Sequence, residues 1–147
     1  MTPVAATPGD APAIRALLEA SGLPTSDLSS MLLEGFLVLR ESGVLTAVGG
    51  LEWVDDEVLL RSVAVAQGVR GSGIGKTLVA ALELRARQRG ARAIYLLTTT
   101  AERYFAALGY QPAPREHAPA GIRRTTQFSE LCPSSSAFMV KVLEPVA

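Results

Sequence analysis

The spacing of apolar residues near the start of the chain predicts two helices. Ile14 and Leu18 lie four positions apart in the segment "APAIRALLEA", which follows a Gly-Asp pair and stops at Gly22. A capping aspartate before such a segment and a glycine after it are common at helix ends. We therefore expect an amphipathic helix over residues 11–21 and a second, short helix near residues 26–33.

Residues 35–65 predict a meander of three strands. In the stretch "GFLVLRESGVLTAVGGLEWVDDEVLLRSVAV", apolar runs are separated by turn residues at 41–43 and again at 55–57. Short connections of this kind are typical of antiparallel strands. Asp55, Asp56 and Glu57 are accordingly interpreted as a solvated turn.

The second half of the chain alternates helices and strands. Helical spacing predicts a helix over residues 73–89, "AIYLLTTT" predicts a strand buried on both faces, "AERYFAAL" a short helix closed by Gly109, and "SAFMVKVL" a final strand. Residues 110–122 are rich in proline and alanine and are expected to be mainly loop. This order predicts a single domain, residues 1–147, with a mixed α/β sheet flanked by helices.

Composition and charge indicate which classes of binding partner and which cellular compartment to expect. The 14 basic and 14 acidic side chains give a formal net charge of zero, so no broad surface for nucleic acid or an acidic membrane is expected. No signal peptide is visible, and no apolar run approaches the roughly 20 residues of a membrane-spanning helix. Cys132 is the single cysteine, which favours a reducing cytoplasm. We expect Cys132 to be buried and structural, His117 to lie on the surface, and no metal site.

The stretch "VAVAQGVRGSGIGKTLV" (residues 63–79) combines a strand, a glycine-rich turn and the start of a helix. Backbone N–H groups at a helix N-terminus bind phosphate oxygens. The stretch could therefore be a nucleotide-binding P-loop or a glycine turn that binds a different phosphate ligand. A nucleotide-binding P-loop would need its first glycine at position 70, where Arg70 stands. It would also need an aspartate after a later strand to hold magnesium, and "AIYLLTTT" ends in threonines. The P-loop interpretation fails on both counts.

The remaining pattern, Arg70-x-x-Gly73-x-Gly75, resembles the pyrophosphate loop of the GNAT superfamily of N-acetyltransferases. The resemblance extends along the chain through the opening helix pair, "LLRSVAV" before the loop and "RYFAALGY" after the next strand. It implies an α+β fold with a mixed central sheet, flanking helices and two splayed central strands, residues 59–65 and Ala93–Thr98. It also implies acetyl-CoA as the cosubstrate and a small-molecule amine as the acceptor. Members are often dimers, so the resemblance suggests a homodimer, and the sequence leaves the oligomeric state open.

The resemblance assigns the cofactor-binding residues. Main-chain groups of Val63 and Val65, on either side of Ala64, would meet the pantetheine arm as an added strand would. Because only glycine lets the main chain approach a ligand this closely, the glycine loop fits the same role. The residues implied to wrap the pyrophosphate are Arg70, Gly71, Ser72, Gly73, Ile74, Gly75 and Lys76.

Two residues are candidates for proton transfer. An acceptor amine must lose a proton before it attacks a thioester, and Glu52 in "GGLEW" is the candidate base; the alternative is a solvent-facing strand carboxylate. In many superfamily members, a tyrosine acts as the general acid that protonates the departing thiolate. It lies five residues before the aromatic residue that is Tyr110 in this chain, but here that position holds Phe105. Tyr104 is adjacent, and neighbours on a helix diverge by about 100°. Either Tyr104 is re-aimed, or the thiolate takes its proton from water.

A narrower resemblance concerns the acceptor. "LLRSVAV" and "LLTTTAERYF" resemble amino-acid N-acetyltransferases that act on glutamate, and "GLPTSDL" and "FSELCPSSSAFMVKVL" resemble a group found in arsenic-resistance operons. This implies acetylation of the α-amino group of a small anionic amino acid, including one that bears an arsenic or phosphorus acid. Glutamate acetylation for biosynthesis and a non-catalytic acyl-CoA sensor, which Phe105 favours, are the alternatives.

Substrate contacts are expected from an arginine and a run of hydroxyls. Arg61 could grip a carboxylate with two hydrogen bonds, and hydroxyls accept from an amine or donate to an oxyanion. The alternatives are an exposed strand arginine and ordinary β-propensity of threonine. The residues assigned to the substrate are Arg61, Thr98, Thr99 and Thr100, with Arg123 and Arg124 as further candidates from the C-terminal segment.

Overall fold

The computed structural model describes residues 2–133 and 135–145 as five α-helices, seven strands and short helical turns. The helices are α1 (Ala11–Ala20), α2 (Ser30–Leu33), α3 (Ile74–Gln88), α4 (Glu102–Ala107) and α5 (Ala120–Arg123). The strands are β1 (Val4–Ala5), β2 (Phe36–Glu41), β3 (Val44–Val54), β4 (Glu57–Val65), β5 (Ala93–Thr98), β6 (Gln111–Pro112) and β7 (Ala137–Val142). The 3₁₀ turns are Pro8–Asp10, Gln67–Val69 and Arg115–His117, and Gln127–Leu131 is a π-helical turn.

The first of two compact units comprises Met1–Glu52 and Leu60–Leu84. Strand β2 pairs antiparallel with β1 and β3, so that Val38 lies opposite Val4 on one side and Val48 on the other. Because α1 turns its apolar stripe inward, its side chains form a core with residues of the strands. The buried members of this core are Ile14, Leu18, Leu33, Phe36, Val38, Val48 and Ala64.

The second unit comprises Trp53–Leu59 and Arg85–Ala147. Strand β5 pairs in parallel with β4 at Leu59 and Tyr95, and antiparallel with β7 along its length, from Ala93 opposite Val142 to Thr98 opposite Ala137. Strand β6 pairs antiparallel with the far side of β7. Since β4 runs through both units, the strand order is β1-β2-β3-β4-β5-β7-β6 in one seven-stranded sheet. The expected mixed α/β sheet with flanking helices is confirmed.

The locally encoded elements match the sequence-based expectation closely. Helices α1 and α3 end within one residue of the predicted bounds, and the meander strands β2, β3 and β4 turn at 42–43 and 55–56 as expected. Helix α2 begins later than predicted, at Ser30. The reason is the Ser29 side chain, which accepts a hydrogen bond from Leu32 N at 3.1 Å and caps the helix there.

Strand β5 is buried on one face, and the expectation of burial on both faces was wrong. Ile94 and Leu96 are buried, whereas Tyr95 and Leu97 alternate with them and are partly exposed. Tyr95 stacks on Phe138 of β7, with ring centroids 5.7 Å apart. A continuous apolar run therefore does not by itself show that both faces of a strand are buried, because aromatic and aliphatic side chains also pack on a face that is partly exposed to solvent.

The segment after Tyr110 is more ordered than the loop that its composition predicts. It contains β6, a 3₁₀ turn and α5, and a carboxylate from elsewhere in the chain holds it: Glu57 Oε1 accepts a hydrogen bond from Gly121 N at 2.8 Å. A Cβ at position 121 would collide with that same Glu57 oxygen, which explains the glycine. Glu57 is thus the first residue of β4 and not part of a solvated turn, while Asp55 and Asp56 are exposed as expected.

Two features are absent from the described part of the chain, a helix able to span a membrane and a cluster of metal-ligand side chains. Among residues 2–133 and 135–145, no helix has both the length and the apolar character needed to cross a membrane. The same residues contain no group of three or more His, Cys, Asp or Glu side chains placed to hold a metal ion.

Adding a methyl group at Gly50 should destabilise the first unit. Gly50 lies opposite Phe36 in the β2–β3 ladder, and a Cβ there would lie 2.6 Å from Phe36 Cζ and closer still to two other ring atoms. Phe36 is fully buried, so the ring has no room to withdraw. We expect Gly50→Ala to lower the free energy of unfolding by about 1–3 kcal/mol, measured by urea denaturation.

The matched control is Gly9→Ala, where the nearest atom to an added Cβ is Thr7 Oγ1 at 3.9 Å. We expect its stability to stay within about 0.5 kcal/mol of the wild type. Equal stability of the two variants would show that the Phe36 ring does not occupy the space above Gly50.

Candidate active site

The glycine loop after β4 takes its shape from two glycines in the left-handed region. Gly71 has φ 85° and Gly73 has φ 86°, and α3 begins at the next residue, Ile74. A Cβ at either glycine would meet nothing within 4 Å, so the backbone conformation rather than crowding requires glycine. The loop therefore presents open main chain.

The N-terminus of α3 leaves amide groups available for an anion. The first helical hydrogen bond joins Thr77 N to Gly73 O at 3.1 Å, so the amides before Thr77 have no partner inside the helix. Lys76 is exposed in the first turn. Arg70 is also exposed, and its Nε donates to Val65 O at 3.1 Å; Ser72 Oγ donates to Val69 O at 2.5 Å. Donors, helix dipole and two cationic side chains together suit a phosphate group.

The end of β4 provides the main chain that leads into the loop. Val63 and Val65 are half-buried and Ala64 is buried. Ala66 N donates to Thr46 O of β3 at 2.8 Å, which fixes the strand end. The role of Val63, Ala64 and Val65 in binding a cofactor arm stays a prediction.

Arg61 lies four residues before the end of β4 and is buried between two carboxylates. Its side chain is 0% exposed; NH1 and NH2 donate to the two Asp27 oxygens at 2.6 and 2.7 Å, and NH1 also donates to Glu52 Oε1 at 2.8 Å. Asp27 and Glu52 retain 14% and 18% exposure. The pair with Asp27 is the two-bond fork that guanidinium forms best.

The charge of Arg61 is secure in this setting. Burial on its own would lower the Arg61 pKa, but the hydrogen bonds that Arg61 donates to Asp27 and Glu52, together with the charges of these carboxylates, outweigh it, and the pKa is raised. Arg61 is therefore neither an exposed strand arginine nor free for a two-bond grip on a substrate carboxylate, because Asp27 already occupies the fork. Glu52 is not a solvent-facing carboxylate either, since it is mostly buried and paired.

The backbone next to Arg61 is strained. Ser62 is a buried non-glycine residue at φ 58°, and its Oγ accepts a hydrogen bond from Arg61 Nε at 3.1 Å. An L-residue in this region costs about 1–2 kcal/mol and persists where surrounding contacts hold it, often beside functional sites. Ser62 lies within β4, between the paired arginine and the main chain of Val63.

Sequence reasoning missed Asp27. It lies in the polar loop between α1 and α2, where a carboxylate is unremarkable. A signal was present on the other side of the pair: an arginine inside the apolar run "VLLRSVAV" needs buried anionic partners. That reasoning requires a partner without saying which of the 14 acidic residues supplies it.

In the second unit, the hydroxyl run follows β5. Thr98 is partly buried and its Oγ1 accepts a hydrogen bond from Ala101 N at 3.0 Å, which shapes the turn into α4. Thr99 and Thr100 are exposed. Their contact with a substrate stays a prediction, and Thr98 has a structural task as well.

Helix α4 presents its two aromatic residues to different surroundings. Tyr104 is 41% exposed, and partial burial raises the pKa of its phenol. Phe105 is buried and packs edge-on against Tyr110, with centroids 5.7 Å apart. The Tyr104 and Phe105 rings also contact each other edge-on, with centroids 5.2 Å apart. Phe105 is therefore a packing residue.

The remaining candidates are held by local contacts. Arg123 donates through Nε to Ala118 O at 2.9 Å and through NH2 to Glu116 O, and Arg124, 62% exposed, reaches Asp55 at 3.5 Å. His117 is exposed as expected. Cys132 is partly exposed rather than buried, and its Sγ lies 3.5 Å from Gln127 Oε1.

Comparison with known proteins identifies relatives of this loop and sheet. Residues 15–110 match the acetyltransferase (GNAT) family model. The amino-acid acetyltransferase of Ectopseudomonas mendocina is 31% identical over 90 residues, which is 60% of this chain and 21% of that protein. The chain thus spans about a fifth of the length of this curated relative.

Solved structures share the fold at lower identity. N-acetylglutamate synthase from Neisseria gonorrhoeae, complexed with coenzyme A and N-acetyl-glutamate, superposes with a TM-score of 0.84 at 24% identity, over 97% of this chain and 35% of that one. Rv2747 from Mycobacterium tuberculosis, in complex with CoA, gives 0.83 at 22% identity over 98% and 100%. These likenesses show the fold alone. Together with the family match across most of the described sheet, they establish that the chain belongs to the acetyltransferase (GNAT) family.

Proposed function

We propose that this protein is an acetyl-CoA-dependent N-acetyltransferase that acts on the α-amino group of a small, anionic, amino-acid-like acceptor. The observation that carries the proposal is the loop between β4 and α3, where two left-handed glycines present free amides and two cations. The family supplies the reaction class, and amino-acid acetyltransferases among the relatives favour an amino acid as the acceptor.

Coenzyme A fits the residues present. Its pyrophosphate is an anion that the amides of residues 73–76, Arg70 and Lys76 would meet, and Val63 and Val65 would offer main-chain groups to the pantetheine arm. Bound acetyl-CoA supplies an activated acetyl group as a thioester. Gly71 and Gly73 leave the space over the loop open, which a bulky residue would fill.

Glu52 is the proposed base. At neutral pH an amine is mostly protonated, so a carboxylate must take its proton before attack. Arg61 holds one Glu52 oxygen at 2.8 Å, and the side chain remains 18% exposed. Held on one oxygen and open on the other, the carboxylate suits proton transfer.

The departing thiolate needs a proton from another source. Tyr104 is partly exposed and its raised pKa keeps the phenol protonated at neutral pH, so Tyr104 is a proposed donor, with water as the alternative. Phe105 has no proton to give. This substitution is the observation that favours a second candidate function, a non-catalytic acyl-CoA sensor.

The acceptor is proposed to be glutamate or an analogue whose side chain carries a phosphorus or arsenic acid. The glutamate option is supported by the amino-acid acetyltransferase relatives. The arsenic or phosphorus option rests on the sequence motifs "GLPTSDL" and "FSELCPSSSAFMVKVL" alone. In either case Thr98, Thr99 and Thr100 are proposed to offer hydroxyls to the acceptor.

Acetyl transfer should be detected as thiol release from acetyl-CoA. The panel comprises glutamate, phosphinothricin, arsinothricin, aspartate and a histone-like peptide, and a blank without acceptor subtracts the reaction of Cys132 with the thiol reagent. We expect turnover with at least one amino acid and none with the peptide. If acetyl-CoA binds and no acceptor is used, the sensor function replaces the proposed one.

Substitution of Gly73 by aspartate should abolish cofactor binding. The variant places a Cβ at φ 86° and a negative charge where the pyrophosphate is expected. Gly90→Asp is the control, since Gly90 has φ 97° and equally open surroundings but follows the far end of α3. Calorimetry should show that Gly73→Asp loses CoA binding while Gly90→Asp retains it. Loss of binding in both variants would point to a general effect of backbone strain.

Removing the Glu52 charge should slow the chemical step. We expect Glu52→Gln to lower kcat by about 100-fold or more with the KM for acetyl-CoA unchanged. Glu41→Gln, an exposed carboxylate on β2, is the control and should keep wild-type kcat. Normal turnover by Glu52→Gln would remove the base assignment. Tyr104→Phe, measured beside it, separates a phenol donor from water.

A further inference from the structure

The cluster around Arg61 contains one residue that no strand supplies. Arg61 and Glu52 lie on β4 and β3, whereas Asp27 comes from the loop between α1 and α2. This loop has a second anchor, because Arg15 NH1 donates to Thr25 O at 3.0 Å and Leu28 N to Thr25 O at 3.2 Å. If the Asp27 carboxylate were removed, the loop would therefore still be held on α1. The main consequence of the removal would be a change in the position of the Arg61 side chain.

The hydrogen bonds of the cluster define an order of dependence. The guanidinium is fixed in position and plane by three contacts, two to Asp27 and one to Ser62 Oγ. Glu52 receives a single bond from the same guanidinium, to Oε1. Within the part of the chain that the structure describes, no second donor to Glu52 is recorded. The orientation of the Glu52 carboxylate thus depends on a guanidinium that Asp27 holds.

The charges lead to the same dependence. One guanidinium faces two carboxylates, so its positive charge is shared between Asp27 and Glu52. Without the Asp27 charge, Arg61 would pair with Glu52 alone and swing toward it, which would change the direction of the hydrogen bond that orients the Glu52 carboxylate. Asp27 therefore affects the direction of Glu52 without needing to touch the acceptor.

We propose that Asp27 is a positioning residue: it clamps Arg61 so that Arg61 orients the Glu52 carboxylate, with one oxygen held and the other left for the acceptor ammonium. This rests on the proposed function, in which Glu52 is the base. The first proton passes from the acceptor ammonium to Glu52, and the nitrogen lone pair then attacks the acetyl carbon. The C–S bond breaks to release the coenzyme A thiolate, and the second proton lost from the nitrogen passes to that thiolate or to water.

The kinetic test is a double-mutant cycle. Asp27→Asn keeps the shape and removes the charge, and we expect kcat to fall about 10- to 100-fold while the KM for acetyl-CoA is unchanged. In the Glu52→Gln background, the same change should cost no more than about twofold further, because Asp27 acts through Glu52. A multiplied loss in the double variant would mean that Asp27 acts independently, and would overturn the proposal.

The matched control is Asp10→Asn. Asp10 is another buried carboxylate of the same unit, paired with Arg40 and bonded to Thr7, so its loss removes a similar ion pair. We expect a comparable fall in melting temperature with kcat unchanged. If Asp27→Asn does not fold, Asp27→Glu keeps the charge, displaces the carboxylate by one methylene, and should lower kcat in the same non-additive way.

A second readout needs no turnover. In ¹⁵N-labelled protein, the Arg61 side-chain N–H signals, identified by their absence in Arg61→Lys, should exchange with water about tenfold faster or more in Asp27→Asn. They should change far less in Glu52→Gln, which removes charge from one bond of the cluster. Unchanged exchange in Asp27→Asn, or faster exchange with wild-type kcat, would overturn the clamp. A wild-type protein that uses no acceptor would instead overturn the proposed function, so the two failures are distinguishable.

Discussion

A buried guanidinium must be matched by anions, and Arg61 imposes this condition on the first unit. With its side chain fully removed from solvent, its charge would be prohibitive without partners; breaking such a pair typically costs about 3–5 kcal/mol. Asp27 and Glu52 meet the condition from 34 and 9 residues away in the chain. A loop, an edge of β3 and the middle of β4 are consequently fixed relative to one another around one side chain.

Strand β4 connects the charged side-chain cluster around Arg61 to the glycine-rich loop that follows the strand. At Arg61 and Ser62, the strand carries a buried charge and a left-handed residue. From Gly71 onward, the main chain is the proposed phosphate-binding group, and the dihedral angles of Gly71 and Gly73 favour glycine. Between them, residues 63–65 remain regular strand. The charged cluster suits proton transfer and the glycine loop suits phosphate, so β4, the neighbouring Glu52 of β3 and the turn after β4 carry both halves of the proposed reaction.

Local features of the fold could be predicted from the sequence, whereas pairings between distant residues could not. The helix that begins at Ile74 and the stops at Gly22 and Gly90 follow from nearby residues, as does the glycine loop. The pairing of Asp27 with Arg61 does not, since an aspartate in a polar loop has the same sequence signature whether it faces water or a guanidinium. The order after Tyr110 likewise depends on Glu57, 64 residues from Gly121, and composition alone suggested a loop.

The buried Phe105 indicates where the chemical demand of the reaction falls. A thiol has a reference pKa of about 8.5, so a thiolate leaves near neutral pH with little assistance, while an ammonium cannot attack until it loses a proton. A residue that protonates the thiolate is therefore easier to give up than a base. Phe105 has taken a packing role against Tyr110, whereas Glu52 is held by a charged network that costs strain at Ser62 and desolvation at Arg61. The charged network around the proposed base, and the lack of a proton donor at Phe105, fit a proposed reaction whose difficult step is deprotonation of the acceptor.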